Sequence, residues 1–555
     1  MPHCRTRVAA LMFALALLLC APRPAPAAYG GCTGDCDGDR AVEVTDLVRG
    51  VNIALGSAAV DECPSLACGD SGQVTIACLI KAVGAALEGC PATVPNPTVE
   101  GPVTGGLGVP FLASTMFDLA ELGYQQAEYF IAGTAAAHVN TAPLGTDGVW
   151  AAARDTTAAY RTRIVTYRPI DPADFNGTVV IEWLNVSGNV DAAPDWLMTH
   201  THLLREGFAW VGVSAQRVGV EGGGGGLGLP PRPLKQIDPE RYGSLSHPGD
   251  SFSYDIFSQV AQAVRSPVGL SPLGDLAIER VIAAGESQSA FRMVTYVNAI
   301  HPLTGLFDGY FIHSRSLNAA ALSEAPQAAI PVPAPGFIRT DLDVPVMTVQ
   351  TETDLIFLGS VAIRQADSDR FRLWEIAGTA HADTYTTVLG FNDRGDSPDV
   401  DDLVITSMPV EGEPIACGAP INSGPQHWVL KAAVAALDRW VRDGTPPPSA
   451  PLIETLAGPP VSIVRDANGN ALGGIRTPQL DVPLATFSGS GQVGAVLCIL
   501  FGTTVPFDEA KLLTLYPTRA DYVTAFNAAT DAALAAGFIL PPDAALMKAN
   551  AAQPE

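Results

Sequence analysis

Charge is scarce in this chain of 555 residues, and positive charge is scarcest: 16% of residues are charged, with 32 Lys and Arg against 57 Asp and Glu. The formal charge of −25 argues against nucleic acid or an anionic membrane surface as a partner, since both are polyanions. Beyond the first 27 residues no apolar run approaches the ~18 residues of a spanning helix, so no membrane span is expected there. Cys-x-x-Cys pairs are missing, which disfavours metal held by cysteine. The glycine run GGGGGLG at 222–228 lacks a Gly-Lys-Ser/Thr ending, so it reads as a flexible loop and not as a phosphate cradle.

Apolar residues are plentiful at 47%, enough for one large core and a smaller module. Residues 1–27 carry Arg5 and Arg7, the run VAALMFALALLLCA and then Ala25-Pro26-Ala27. That order of charged, apolar and small residues predicts a secretory signal peptide and a mature chain beginning near Ala28. Three leucines precede Cys20, which does not suit a lipid-anchor signal. Losing Arg5, Arg7 and Arg23 with the leader takes the charge from −25 to −28. Six cysteines then lie between Cys32 and Cys90, with Cys417 and Cys498 far downstream. Even counts in an exported chain predict disulfides and a periplasmic or extracellular location, although spacing leaves the pairing open.

Residues 35–46, DCDGDRAVEVTD, place Asp35, Asp37, Asp39, Glu43 and Asp46 at positions 1, 3, 5, 9 and 12 of a twelve-residue loop. These are side-chain ligand positions of an EF-hand calcium loop, with Val42 at the apolar position and a helical pattern behind it. Arg40 replaces the usual turn glycine. A second copy, ACGDSGQVTIAC at 67–78, keeps the glycine and Val74 but has Ala67, Gly69, Ser71 and Cys78 at ligand positions. The duplicated loop-helix unit resembles a dockerin-type module, which implies Ca2+ at the first loop and a protein partner. The alternative is a small domain held by its cysteines, with the carboxylates as a solvated face. The Pro-, Gly- and Thr-rich stretch 91–106 reads as a linker between this module, 28–90, and a large domain, 107–555.

From about residue 160, strand-like apolar runs alternate with amphipathic helical stretches, the pattern of an α/β domain with a mostly parallel sheet flanked by helices. Expected strands are 178–186, 208–216, 280–287, 307–314, 344–353 and 370–378. Reactive groups of such sheets sit just beyond the carboxyl ends of strands.

One such end is VIAAGESQSAFR, 281–292, where Ser287 occupies the middle of Gly-x-Ser-x-Ser at a strand-to-helix turn. The sharp turn of Gly-x-Ser-x-Gly lifts the hydroxyl clear of a sheet, and Ser289 stands where the closing glycine would be. A serine nucleophile needs an imidazole to take its proton and a carboxylate to fix the imidazole's tautomer. His381 follows the strand ending at 378, and Asp354 follows the one ending near 353. The order Ser, acid, His is that of α/β-hydrolase sheets. Glu352 is the alternative acid, although it falls within the strand. Gln288 is expected to give one oxyanion-hole amide, and Val186 or Ser187, after the 178–186 strand, the other. Asn185-Val186-Ser187 is also a glycosylation sequon, but a strand end beside a site is a poor acceptor. His200 and His202, two apart on a helix, are a poor metal pair, and His427 reads as structural.

GYQQAEYFIAGTA, TVVIEWLNVSGN, FAWVGVSAQRVGV, VIAAGESQSA, QTETDL, DRWVRDGTPPP and DANGNALGGIRTPQLDVP, in this order, resemble the secreted bacterial "alpha/beta hydrolase domain" family of the α/β-hydrolase superfamily. The resemblance implies that 450–555 belongs to the same unit, and that Cys417 and Cys498 pair within it. The resulting expectation is a secreted serine esterase acting on a small-molecule or polymeric ester, without a catalytic cofactor. A peptidase or lactonase would use the same residues. The contrasting expectation is a non-catalytic attachment protein that binds through its N-terminal module.

Overall fold

The computed structural model describes residues 32–37, 41–68, 73–88, 90, 94–224, 226–227, 229–407 and 416–553. The leader and Asp39 lie outside them. The chain divides into two compact units, Met1–Thr93 and Val94–Glu555.

Among its described residues the small unit has two α-helices, Val44–Ala54 and Ile76–Glu88, each following one of the acidic or degenerate loops. Its core is slight: Cys32, Val42, Ile53, Cys63, Leu66 and Ala82. Three disulfides compensate, Cys32–Cys90, Cys36–Cys63 and Cys68–Cys78. Covalent closure suits a domain too small to bury a sufficient core. Glu43 is the N-cap of the first helix, and the buried Asp46 carboxylate accepts the Glu43 N–H at 3.0 Å. Among the described residues no three acidic, histidine or cysteine side chains converge as a metal-binding set.

The large unit is built on nine strands: β1 Thr98–Glu100, β2 Tyr124–Asn140, β3 Ala152–Pro169, β4 Thr178–Trp183, β5 Ala209–Val213, β6 Arg280–Glu286, β7 Gly309–His313, β8 Val346–Thr351 and β9 Phe371–Ile376. Their spatial order is β1-β2-β3-β5-β4-β6-β7-β8-β9. From β5 to β9 all pairings are parallel, while β1, β2 and β3 add an antiparallel edge. This is an α/β-hydrolase sheet. β1 begins inside the stretch read as a linker, so the large unit starts at Val94 and not at 107. Prolines and glycines surround Thr-Val-Glu, and composition alone hid its pairing with Phe130–Ala132.

The parallel strands are apolar because helices cover both of their faces. Along β4, Val179, Ile181 and Trp183 pack into the core beneath the helices Ser253–Arg265 and Gln288–Thr295. Val180 faces the other core, beneath Pro194–Arg205 and Gln426–Asp443. Past Gln288–Thr295 the helix widens into one π turn, Tyr296–Ile300.

Residues after 450 contribute the hairpin of Ala485–Ser488 with Thr503–Pro506 and the helices Arg519–Ala535 and Pro541–Ala552. Tyr522, Phe526 and Met547 close around Trp428 of the helix Gln426–Asp443, so this segment belongs to the same unit. Cys417 and Cys498 form a disulfide within it. None of the described helices is long and apolar enough to cross a membrane.

Candidate active site

Ser287 sits between β6 and the helix Gln288–Thr295 with φ 56° and ψ −119°. This is strained backbone for a residue with a Cβ, and such strain costs about 1–3 kcal/mol. The turn is held by the Ser287 N–H donating to the His313 carbonyl at 2.9 Å and by the Phe291 N–H donating to the Ser287 carbonyl at 3.1 Å. Strand and helix meet at Gly285, where an added Cβ would lie 3.0 Å from the Ser289 carbonyl and 2.9 Å from Met293 Cγ. The close approach is therefore made by the strand glycine, and Ser289 is fully buried with its hydroxyl unpartnered.

The fold brings three sequence-expected residues together from the ends of β6, β8 and β9. Ser287 Oγ lies 2.8 Å from His381 Nε2, and His381 Nδ1 lies 2.7 Å from Asp354 Oδ1. A carboxylate cannot donate, so Nδ1 carries the proton and Nε2 is left to accept the Ser287 hydroxyl. Asp354 is fixed in turn by its other oxygen, which accepts the Thr351 N–H at 2.7 Å.

Glu352 points elsewhere. Its Oε1 accepts the Gly378 N–H at 2.7 Å, while Oε2 accepts the Gly489 N–H at 3.0 Å and a donor from Arg465 at 2.9 Å. A Cβ on Gly489 would lie 2.5 Å from Glu352 Cβ, so only glycine allows this clamp. Glu352 ties together the loops after β8 and β9, and of these two carboxylates it is Asp354 that meets the imidazole.

Sequence reasoning assigned no role to Glu286, the residue before Ser287. Its Oε1 lies 3.3 Å from His381 Nε2, and Oε2 accepts from Asn185 Nδ2 at 2.9 Å. Burial pushes its carboxyl up to about 7, with His381 and His313 pulling the other way. Burial also opposes the charged form of His381. The Asp354 charge and hydrogen bond, together with Glu286, outweigh it and raise His381 above its ordinary value. The signal was Gly-Glu-Ser itself, but β-strand alternation sends neighbouring side chains to opposite faces, and only the turn brings Glu286 to the imidazole.

Of the expected oxyanion amides, those of Gln288 and Val186 meet no acceptor among the described residues, whereas the Ser187 N–H donates to Asn185 Oδ1 at 2.8 Å. The Ser187 N–H is therefore already committed, unlike those of Gln288 and Val186. The Asn185 amide is buried and committed to Glu286, which also closes the glycosylation sequon. The Gln288 side chain donates to Gln216 Oε1 at 2.8 Å, and Gln216 donates to Asp250, which pairs with Arg292. His200 bonds to the Leu197 and Asp393 carbonyls, and His427 stacks on Tyr385 at 3.8 Å, so both are core residues.

Chemically, this arrangement can deprotonate a serine hydroxyl held at a strand end and stabilise the imidazolium that results. Of the expected calcium ligands, Asp35, Asp37, Glu43 and Asp46 lie among the described residues, where they do not converge as a metal-binding set, and the Asp46 carboxylate is engaged at the helix start by the Glu43 N–H.

A search of curated proteins found no match to this chain. Among solved structures, acetyl xylan esterase 1 from a Thermoanaerobacterium species is 12% identical, covers 51% of this chain and 81% of its own, and has a TM-score of 0.26. The glucuronoyl esterase from Solibacter usitatus is 10% identical, with 51% and 82% covered and a TM-score of 0.25. Fungal esterase from Rhizomucor miehei is 12% identical, with 47% and 78% covered and a TM-score of 0.23. Residues 99–549 match the family model described as "Alpha/beta hydrolase domain", and the chain belongs to that family.

Proposed function

We propose that the large unit is a serine hydrolase that cleaves carboxylic esters, small or polymeric, through an acyl-enzyme, in a protein exported from the cell. The observation that carries this reading is the unbroken hydrogen-bond chain Ser287–His381–Asp354, at 2.8 and 2.7 Å, on three strand ends. Ser287 Oγ attacks the ester carbonyl as its proton passes to His381 Nε2, and the Gln288 and Val186 amides receive the developing oxyanion. Collapse expels the alcohol, which takes the proton from His381, and water then hydrolyses the acyl-serine by the same route. Asp354 holds the tautomer and stabilises the imidazolium throughout.

The test is hydrolysis of p-nitrophenyl esters graded by acyl length. Wild-type protein turns over at least one of them and the Ser287→Ala variant does not; activity retained by the variant ends the reading. A peptidase or lactonase would process amide or lactone substrates in preference to the ester panel.

The small unit favours a second, compatible role as a calcium-loaded attachment module. Its two helices expose the same apolar stripe twice: Val44, Val48, Val51 and Leu55, then Ile76, Ile80, Val83 and Leu87, each 42–81% exposed. A repeated exposed stripe of this kind suits contact with a protein partner. Calcium held by Asp35, Asp37, Asp39, Glu43 and Asp46 would order the first loop. Calorimetric titration of the full chain detects it, and Asp35→Ala abolishes the heat; equal heats remove the metal from the account.

A further inference from the structure

Arg315, just after β7, is a buried cation with no partner of opposite charge among the described residues. It is 1% exposed and lines a cavity of about 10 Å³ together with Thr348, Gln350, Ser360 and Glu375. Its Nη2 donates to the Gly336 carbonyl, its Nε meets no acceptor, and among the described residues it forms no ion pair. The carboxylate on the cavity wall is already spent. Glu375 takes Arg364 through two bonds of 2.7 Å and accepts the Ile453 N–H at 2.8 Å. With Glu375 paired to Arg364, the Arg315 guanidinium is the uncompensated charge on the cavity wall.

Three further polar atoms on the same wall are unpartnered: Thr348 Oγ1, Ser360 Oγ and Gln350 Oε1. Buried polar atoms are almost always satisfied, so four around one small cavity are not a packing accident. Two are hydroxyls that can donate, as the guanidinium does. Gln350 Oε1 is an acceptor, and its amide nitrogen already donates to the Arg315 carbonyl at 3.1 Å. Burial lowers the Arg315 pKa to about 9, so at neutral pH it still carries its proton. A water could satisfy the hydrogen bonds but not the charge. At about 10 Å³ the cavity has room for one guest of about water size.

We propose that Arg315, Thr348 and Ser360 form a buried halide site that takes one chloride ion. The ion accepts from the guanidinium and the two hydroxyls, cancels the excess charge, and fastens the end of β7 to β8 and the turn after it. His313, whose carbonyl holds the Ser287 N–H, ends β7, and Asp354 follows β8, so the ion braces the scaffold under both. The proposal does not depend on the esterase reading.

The experiment measures thermal unfolding of the full chain in sodium chloride against sodium gluconate at equal ionic strength, with bromide replacing chloride for anomalous diffraction from crystals. The expected result is a chloride-dependent rise in Tm of ~1 °C or more, smaller in Ser360→Ala and flat in Arg315→Met. A bromide peak within hydrogen-bond distance of the Arg315 guanidinium is expected in the same cavity. A wild-type Tm indifferent to the anion, or bromide found on the surface only with water in the cavity, overturns the proposal. Should Arg315→Met fail to fold, Ser360→Ala and the anomalous map decide.

Discussion

Glu352 and Asp354 stand two residues apart after β8, yet only Asp354 reaches the imidazole, at 2.7 Å from His381 Nδ1, while Glu352 is clamped by Gly378, Gly489 and Arg465. The two carboxylates therefore separate on mutation. Asp354→Asn keeps the shape but presents the wrong tautomer to Ser287, and kcat falls by about 10⁴-fold with little change in Tm. Glu352→Gln leaves buried donors underused and loses about 1–3 kcal/mol of stability, with kcat per folded molecule near wild type. Steady-state kinetics paired with denaturant unfolding of both variants checks the assignment, and a reversed pattern would make Glu352 the acid.

The positive φ of Ser287 makes stability and activity pull in opposite directions. Ser287→Gly removes the Cβ from strained backbone and raises stability by about 1 kcal/mol while turnover is lost. Ser287→Ala keeps the strain and loses turnover by up to about 10⁶-fold. Unfolding midpoints that rank Ala above Gly would contradict the strained turn.

His381 acts as a base only when neutral, so activity rises with pH through its pKa, which lies above the ordinary 6.5. Removing the Glu286 charge takes away part of what stabilises the imidazolium. Glu286→Gln therefore lowers the His381 pKa, and the acidic limb of the kcat/KM profile moves to lower pH. An unmoved limb would show that the 3.3 Å approach of Glu286 to His381 has no electrostatic consequence.

Cys417–Cys498 closes a loop with a sequence separation of 81, so its loss frees much unfolded-chain entropy. The Cys417→Ser/Cys498→Ser double variant loses up to about 4 kcal/mol, read as a lower denaturant midpoint of the large unit. An unchanged midpoint would mean that the hairpin of Ala485–Ser488 with Thr503–Pro506 holds this region unaided.

The sheet core and the meeting of Ser287, His381 and Asp354 were legible because each of the three lies in the turn after an apolar, helix-flanked strand, where one-dimensional periodicity carries the information. The long pair β2 and β3 was not read, since its alanines, glycine and scattered polar residues give no clean alternation, and its stability comes from sixteen cross-strand partners far apart in sequence. β1 was read as linker for the same reason. Within the site, the choice between Glu352 and Asp354 rested on their place in the turn. What decides it physically, Arg465 and Gly489 closing on Glu352, arrives from more than a hundred residues away. The commitment of Ser187 to Asn185 and the approach of Glu286 to His381 are likewise products of the turn's three-dimensional path.

The central claim is that Ser287 is an activated nucleophile, and a covalent trap tests it most directly. Full-length protein treated with a fluorophosphonate and digested for mass spectrometry should carry a single adduct on the peptide containing Ser287. Prior mutation of His381→Ala should abolish it. Ester turnover with no adduct at Ser287, or an adduct that persists without His381, would contradict the account.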